Sequence, residues 1–324
     1  MMAFGGKVLA LAGGVGGARM AAGLARALPA GALTVAVNVG DDFDHLGLHV
    51  APDLDTVTYT LAGINNPAQG WGIAGETTAF MGALKRLGGP DWFLLGDQDM
   101  ATHVLRTLRL KAGESLSAIT ADFARRLGIT TRIVPMSDDP VRSIVDTDEG
   151  TLPFQDYFVR RQCIPRFHGI RFDGLETARP SAGLVAALRD PDLSAIIICP
   201  SNPILSIWPI LGVSGVHAAL STASAPVIAV SPFIGAKAVK GPAGKIFAEL
   251  NLDPSPAGLL SCYDGLVDGL VMDHADADRA GNCGDVALRV TDILMRDGAD
   301  QEHLALEILD FAAGLRAGTG GRDG

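Results

Sequence analysis

The first forty residues leave the chain little choice of fold. Lys7 to Leu11 is an apolar run of strand length, "GGVGGARMAAGLARAL" supplies a glycine turn and then a helix, and Leu33 to Val39 is a second, Val-rich strand. Strand, turn, helix and strand in this order form a βαβ unit, which implies parallel strands joined by a right-handed crossover. Further strands are expected at "DWFLLGD" (91–97), "TTRIVPMSDDP" (130–140), "LSAIIICPSNP" (193–203), "APVIAVSP" (225–232) and "GLVDGLVMD" (265–273). The third of these is continuously apolar, as a strand covered on both faces should be. Helical patterns, such as Ser115 to Leu127 and Leu184 to Leu188, separate them.

The expected fold is therefore α/β: a Rossmann-like three-layer arrangement with a mainly parallel sheet. Residues 5–137 and 183–275 would form its core. Residues 138–182, which mix Arg160, Arg161, Arg166 and Arg171 with aromatics, read as an irregular, partly β or helical insertion. A helical part over about 284–317 would complete one domain spanning 1–317, with 318–324 a frayed tail.

Charge narrows the function. Among 324 residues, Lys and Arg total 26 and Asp and Glu 36, a formal net charge of −10. Such a surface is poorly suited to nucleic acid, which needs cations to neutralise phosphates. The four cysteines, Cys163, Cys199, Cys262 and Cys283, include no CxxC pair, so reduced thiols and a cytoplasmic location are expected. The apolar run after the N-terminus is too short for a signal-peptide core, and prolines break "AIIICPSNPILSIWPILGV", so no membrane segment is expected.

The acids themselves are unevenly placed. "VNVGDDFDHLGLHVAPDLDT" carries Asp41, Asp42, Asp44, Asp53 and Asp55, and no Lys or Arg occurs from Ala27 to Leu84. Asp41 and Asp42 follow a strand, and Asp53 and Asp55 would point the same way in extended chain. Grouped carboxylates repel unless a cation or proton joins them, and Mg2+ is the economical partner. Placed side by side, the strand ends GGVGG, NVGDD, LGDQD, PMSDDP, CPSNP and VSPFIG make a crown of amide-rich turns and aspartates where open parallel sheets bind ligands. "AGGVGGARM" (12–20) sits where a phosphate loop would, although it lacks a Walker Lys-Ser/Thr, and Arg19 stands where a dinucleotide fingerprint wants a small residue. Arg19 could itself reach a phosphate. "PSNP" and "AVKGPAGK" offer Ser201, Asn202, Lys240 and Lys245 as further anion contacts, and "LGDQDMATH" adds Asp97, Asp99 and His103, of which Asp97 could join a metal or ligand and Asp99 could instead simply cap the following helix. No G-x-S-x-G elbow or Ser-His-Asp order is present, so metal-assisted phosphoryl-type transfer suits these parts better than covalent catalysis.

Taken in order, "GGVGGAR", "NVGDD", "PDLDT", "GDQDMATH", "PMSDDPV", "FQDYFVR", "PSNPILSI" and "SPFIGAKAVKGPAGK" resemble the 2-phospho-L-lactate transferases of coenzyme F420 biosynthesis. The resemblance implies an Mg2+-dependent enzyme that moves a phospho-acid (2-phospholactate or phosphoenolpyruvate) from a guanosine-diphospho-linked donor to the ribityl 5′-hydroxyl of the deazaflavin Fo, releasing GMP. It implies that Asp41, Asp42, Asp53 and Asp55 hold Mg2+ and the ribityl hydroxyls, with Asp53 or Asp55 accepting the hydroxyl proton. It assigns phosphate to the amides of Gly14, Gly16 and Gly17, the guanylate half to Ser201, Asn202, Lys240 and Lys245, and the deazaflavin side to Asp97 and Gln98. Gln98 replaces the Arg usual in the family, which exchanges a permanent charge for a neutral amide. A homodimer is also implied; "ILSIWPILGVSGV" (204–216) is mostly core in this reading, with part of it available to a partner. The competing expectations are a nicotinamide-dependent oxidoreductase and a nucleotide sensor without turnover.

Overall fold

The computed structural model describes residues 4–319 of the chain. The chain begins with β1 (Lys7–Ala12), α1 (Gly14–Ala27) and β2 (Leu33–Val37), followed by a hairpin of β3 (Phe43–His45) and β4 (Leu48–Val50). Helices α2 (Pro52–Leu61), α3 (Ala79–Arg86), α4 (Asp97–Lys111) and α5 (Leu116–Arg126) lead to β5 (Arg132–Pro135). The middle supplies β6 (Arg142–Thr147), β7 (Gly150–Pro153), β8 (Phe167–Asp173), α6 (Ala182–Leu188), β9 (Leu193–Ile198), α7 (Trp208–Gly212) and α8 (Val216–Ser221). Then come β10 (Val227–Val230), β11 (Phe233–Ile234), β12 (Lys237–Ala238), α9 (Ala243–Glu249), α10 (Pro256–Ser261), β13 (Gly269–Met272), β14 (Ala287–Val290) and α11 (Gly298–Thr319).

Seven strands form one sheet in the order β14-β13-β10-β9-β1-β2-β5, and every pairing is parallel. Numbered within the sheet, β5, β2, β1, β9, β10 and β13 run 3-2-1-4-5-6, the doubly wound order. Right-handed crossovers then send the connections of the two halves to opposite faces. The centre is apolar on both sides: Leu9, Ala10, Leu11, Ile196, Ile197 and Ile198 are fully buried. Each of the larger ones stabilises the fold by roughly 1.5–3 kcal/mol relative to exposure. Helix α1 packs along α2 and α11, and a Cβ on Gly23 would lie 2.1 Å from the Gln301 carbonyl oxygen, so that contact needs glycine.

Several expectations need correction. Asp91 to Gly96 is irregular chain, not a strand. Its apolar residues have another use: Trp92 and Phe93 pack with Phe43 and His45 on the β3–β4 hairpin. "PDLDT" is not extended but opens α2, with Pro52 in the first turn and Asp53 and Asp55 at its positive end. Residues two apart on a helix diverge by about 200°, so Asp53 and Asp55 do not point the same way. β14 lies within the stretch expected to be helical and makes a seventh strand on β13. The 142–173 region is a three-stranded antiparallel sheet, β7-β6-β8, with a π-type turn over Asp156–Arg160. Residues 204–216 are largely core, with Ile204, Ile207, Ile210 and Val213 buried. Of the expected tail, Gly318 and Thr319 close α11, and 320–324 lie outside the described residues. No described helix is long and apolar enough to cross a membrane.

Candidate active site

The strand order reverses between β1 and β9, and the chain leaves both strands in tight contact there. A Cβ on Gly16 would meet the Pro200 carbonyl oxygen at 2.2 Å, and one on Gly13 would meet the Ser206 Cβ at 2.6 Å. Ser201 Oγ accepts from the Gly13 amide (3.1 Å) and donates to the Gly13 carbonyl (2.8 Å), tying the two turns together. A cavity of about 520 Å³ opens above this junction. Gly14 and Gly16 line it; Gly17 is buried behind them, close to Ser201 Oγ. Ser201 also lines the cavity, although its hydroxyl is engaged in the tie.

Acids reach this cavity from two directions. The first group surrounds Asn38, which is fully buried. Asp53 Oδ1 accepts from the Gly14 amide (2.7 Å), and Asp53 Oδ2 accepts from Asn38 Nδ2 (3.0 Å). Burial is the main cause that lifts the Asp53 carboxyl to about 6. Burial and then the charge of Asp53 push Asp41 well above the carboxylate range, and Asp41 Oδ1 finds no partner among the described residues. Asp42 is also raised, chiefly by burial; its Oδ2 lies 3.0 Å from His49 Nε2, and its Oδ1 has no partner. Asp41 and Asp53 line the cavity, whereas Asp42 lies behind it.

The second group has its own cation. Arg106, 3% exposed, donates to both oxygens of Asp55 (Nη1 at 3.1 Å, Nη2 closer) and to the His49 carbonyl at 3.4 Å. Tyr59 donates to Asp99 Oδ1 at 2.6 Å. His103 stands between the two acids, 3.3 Å from Asp99 Oδ2 and 3.6 Å from Asp55 Oδ2. Burial works to raise the Asp99 carboxyl, but His103, Tyr59 and Arg106 outweigh it and hold it below its ordinary value. Asp55, Asp99 and His103 each present a ligand atom within 4.8 Å of the others, so this buried group could bind a metal.

Cations and amides line the same cavity. Arg19 and Lys240 both line the cavity. Lys240 Nζ donates to the Gln69 carbonyl (2.8 Å), and burial, followed by the charge of Arg19, lowers its affinity for a proton. Its loop is set by the β11–β12 turn, where Asp276 accepts from the Gly235 and Ala236 amides. Asn202 Oδ1 caps the turn over Pro203–Ile207 through the Ile204 and Leu205 amides, which leaves its shielded Nδ2 without a partner. Trp71, Trp92, Phe93, Phe154 and Phe158 add flat apolar wall.

Three expected ligands are engaged elsewhere. Asp97 accepts from the Thr77 hydroxyl and from the Ala79 and Phe80 amides (3.1 and 3.0 Å), so it caps α3 from a distance. Gln98 is exposed, and neither residue lines the cavity. Lys245 also stays outside: its Nζ binds Glu249 (2.6 Å) and the Pro165 carbonyl (2.9 Å), fastening the 142–173 sheet to α9. Gly96 and not Asp99 is the N-cap of α4, so the capping alternative for Asp99 falls away; its carboxylate faces inward to Tyr59 and His103. The residue that reading by strand ends missed is Arg106. Asp99, His103 and Arg106 are spaced i, i+4, i+7, one face of a helix, and that spacing was the available signal.

Comparison with known proteins matches this architecture over most of its length. The family model described as 2-phospho-L-lactate transferase CofD matches residues 8–288. A phosphoenolpyruvate transferase of Streptomyces coelicolor is 39% identical over 318 residues, covering 96% of this chain and 99% of its own. One from Kitasatospora aureofaciens is 41% identical, covering 97% of this chain and all of its own. A 2-phospho-L-lactate transferase of Methanopyrus kandleri is 40% identical over 307 residues, covering 94% and 96%. A crystal structure of a UPF0052-family protein from Bacillus halodurans shares the fold at a TM-score of 0.60 and 14% identity, covering 93% of this chain and 99% of that one. By the extent of the family match and the identity to full-length relatives, the chain belongs to the CofD family of 2-phospho-L-lactate transferases of F420 biosynthesis.

Proposed function

We propose that the chain transfers a phospho-acid, 2-phospholactate or phosphoenolpyruvate, from a guanosine-diphospho-linked donor to the ribityl 5′-hydroxyl of Fo. The observation that carries this reading is that one cavity is lined by both kinds of group: Asp41 and Asp53, with an Asp41 oxygen left without a partner, and Arg19, Lys240 and Asn202, whose Nδ2 is also unpartnered. A diphosphate fits such a cleft only if a cation lies between it and the acids.

Asp41 and Asp53 suit Mg2+, a hard ion that takes one or two carboxylates and leaves its other positions to water and phosphate. The Asp55–Asp99–His103 group suits it less, because Arg106 already neutralises Asp55 and imidazole favours softer ions. Bound Mg2+ would offset charge on the diphosphate. The first helical amides of α1 lack intrahelical partners, and those of Val15 and Gly16 remain for a phosphate once Asp53 has taken that of Gly14; Gly17, buried behind them, lies past the free turn. Arg19, Lys240 and Asn202 Nδ2 hold the guanylate side, and the aromatic wall holds the flat deazaflavin. The ribityl hydroxyl attacks the phosphorus of the phospho-acid, the P–O bond to guanylate breaks, and GMP departs. Asp53 takes the hydroxyl proton; Asp55 is a poor acceptor with both oxygens on Arg106. Positioning and charge stabilisation do most of the catalysis.

The test is incubation of the purified protein with Fo, Mg2+ and each of the two guanylylated donors, with and without EDTA, read by mass spectrometry. A phospho-acid adduct of Fo with equimolar GMP, lost in EDTA, is expected. Donor turnover without an Fo adduct, or no turnover with either donor, would refute the assignment.

A further inference from the structure

The turn that presents Asp41 is gripped from outside the parallel sheet. It follows β2, and the 142–173 subdomain, far along the chain, holds it at two points. The Ser143 amide, on β6, donates to the Gly40 carbonyl at 2.7 Å. Gln155 Nε2 donates to the Asp41 carbonyl at 3.1 Å, across 114 positions of sequence. Within the turn, the Gly40 amide donates to Asn38 Oδ1 (2.7 Å) and the Asp42 amide to the Val39 carbonyl (3.2 Å). Both peptide planes that flank Asp41 are therefore held, one through Gly40 and the other through Gln155 and Asp42. A peptide is planar, so fixing the planes on either side of a residue fixes its φ and ψ and hence the direction of its Cα–Cβ bond.

Asp41 needs that constraint. Its side chain is buried beside Asp53, whose charge repels it, and its Oδ1 has no partner among the described residues. Repulsion favours any turn of the chain that swings the two carboxyls apart. Gln155 is placed to resist it. The residue is 5% exposed, lines the cavity and stands between Phe154 and the π-type turn over Asp156–Arg160. Phe154 is buried and stacks on Phe158, with ring centroids 5.3 Å apart and 13° between planes. Tyr157 is fully buried and meets the Phe167 ring. Packed rings on both sides leave the Gln155 backbone little freedom.

We propose that Gln155 is a positioning residue for the metal site: its amide holds the Asp41–Asp42 peptide so that Asp41 keeps its carboxylate turned to the cavity. The amide nitrogen acts through Asp41 and not on the reacting atoms. The inference rests on the placing of the ion at Asp41 and Asp53. A partner that orients a metal ligand from behind typically carries about 10–100-fold of metal affinity.

Calorimetric titration of the full chain with Mn2+, without substrates, tests this apart from turnover. Gln155→Met keeps the length of the side chain and removes the donor. Its Mn2+ affinity is expected to fall about 10–100-fold. In steady state kcat should fall while KM for Fo stays near its wild-type value. The control is Lys245→Met, which strips the same subdomain of its tie to Glu249 and the Pro165 carbonyl. Both variants should lower the urea midpoint, because each leaves a carbonyl without its donor. Lys245→Met, however, should bind Mn2+ as wild type does. Gln155→Asn keeps an amide on a stem one carbon shorter; it should lose Mn2+ affinity in the same way, and it carries the test where the Met variant does not fold. Wild-type Mn2+ affinity in a folded Gln155 variant, or an equal loss in Lys245→Met, would overturn the proposal. Asp41→Asn separates the inference from the reading beneath it. If that variant loses the ion and Gln155→Met keeps it, only the role of Gln155 falls. If Asp41→Asn keeps the ion as well, the ion lies elsewhere and both fall. Neither result alters the transferase reading, which is tested by product formation.

Discussion

Asp53 and Asp55 are two residues apart on the first turn of α2, and they meet opposite electrical surroundings. Asp53 faces Gly14, Asn38 and Asp41, with no cationic side chain bonded to it, and its carboxyl is lifted to about 6. Asp55 faces Arg106 and His103 across a buried ion pair. The helix turns about 100° per residue, so a two-residue step places one acid toward β1 and the other toward α4. The same turn thus supplies one carboxylate whose charge is left uncompensated and one whose charge is matched. Uncompensated buried charge destabilises a fold, and it persists where a bound group will repay it. Matched charge holds elements in place.

The largest effect that would break this comparison is on turnover. Asp41→Asn is expected to lower kcat by about three orders of magnitude, on the scale of removing one charge-stabilising contact. Calorimetric titration with Mn2+ should show a parallel loss of metal affinity, while the denaturation midpoint holds or rises because a raised, repelling carboxyl has been removed. Unchanged metal binding would move the ion away from Asp41. The matched group predicts the converse. Arg106→Met leaves Asp55 buried without its cation, which should cost about 3–5 kcal/mol in urea denaturation. The double variant Asp55→Leu/Arg106→Met should recover most of that stability, since two apolar side chains replace a buried pair at little cost.

The dependence on pH separates the groups by sign. Asp53 has a folded value of about 6, above its unfolded value near 3.8, so the folded form binds the proton more tightly. Its contribution is fully present below pH ~4 and is lost as pH rises through 6, at a cost of about 3 kcal/mol. Asp99 is shifted downward, so its contribution is present above its unfolded value and is lost as acid is added. Metal-free protein should therefore lose stability as pH rises from 4 to 6.5, and Asp53→Asn should reduce that slope, leaving the part that the raised Asp41 and Asp42 carboxyls contribute in the same sense. Added Mg2+ should flatten it as well, because the ion replaces the proton.

How much of this was legible in the sequence follows from how local each signal is. The βαβ unit and the apolar β9 were readable because a strand buried on both faces must be apolar along its length. The 91–97 segment reads as a strand because an apolar run suits a cavity wall as well as a sheet, and only the fold shows Trp92 and Phe93 packed on the β3–β4 hairpin instead. Pro52 followed by two acids is a helix start, yet the pattern of grouped acids obscured it. Asp97 and Lys245 lie outside the cavity because a cap on α3 and a tie to the 142–173 sheet engage them with residues 17 to 80 positions away. Those contacts exist only in the fold. Asn202 and Lys240 line the cavity as expected from the sequence, because their turns directly follow strand ends, where chain order and space coincide.

Asp55→Asn gives the smallest effect and the sharpest contrast with the sequence-based expectation. Asn keeps the shape and can still accept from Arg106 through its carbonyl oxygen, but it presents an amide nitrogen where the second oxygen stood. The charge-assisted half of the pair is lost, so stability should fall by about 1–3 kcal/mol. If Asp55 held the metal or took the proton, kcat would drop as far as in Asp41→Asn. Because Arg106 occupies both of its oxygens, the expected loss in kcat is less than about tenfold, with KM for Fo carrying any remainder through displacement of the cavity wall. Metal affinity should stay within about threefold of wild type, whereas the alternative predicts a loss on the order of a hundredfold. A steady-state comparison of Asp53→Asn and Asp55→Asn under one set of conditions therefore assigns the functional acid of the pair.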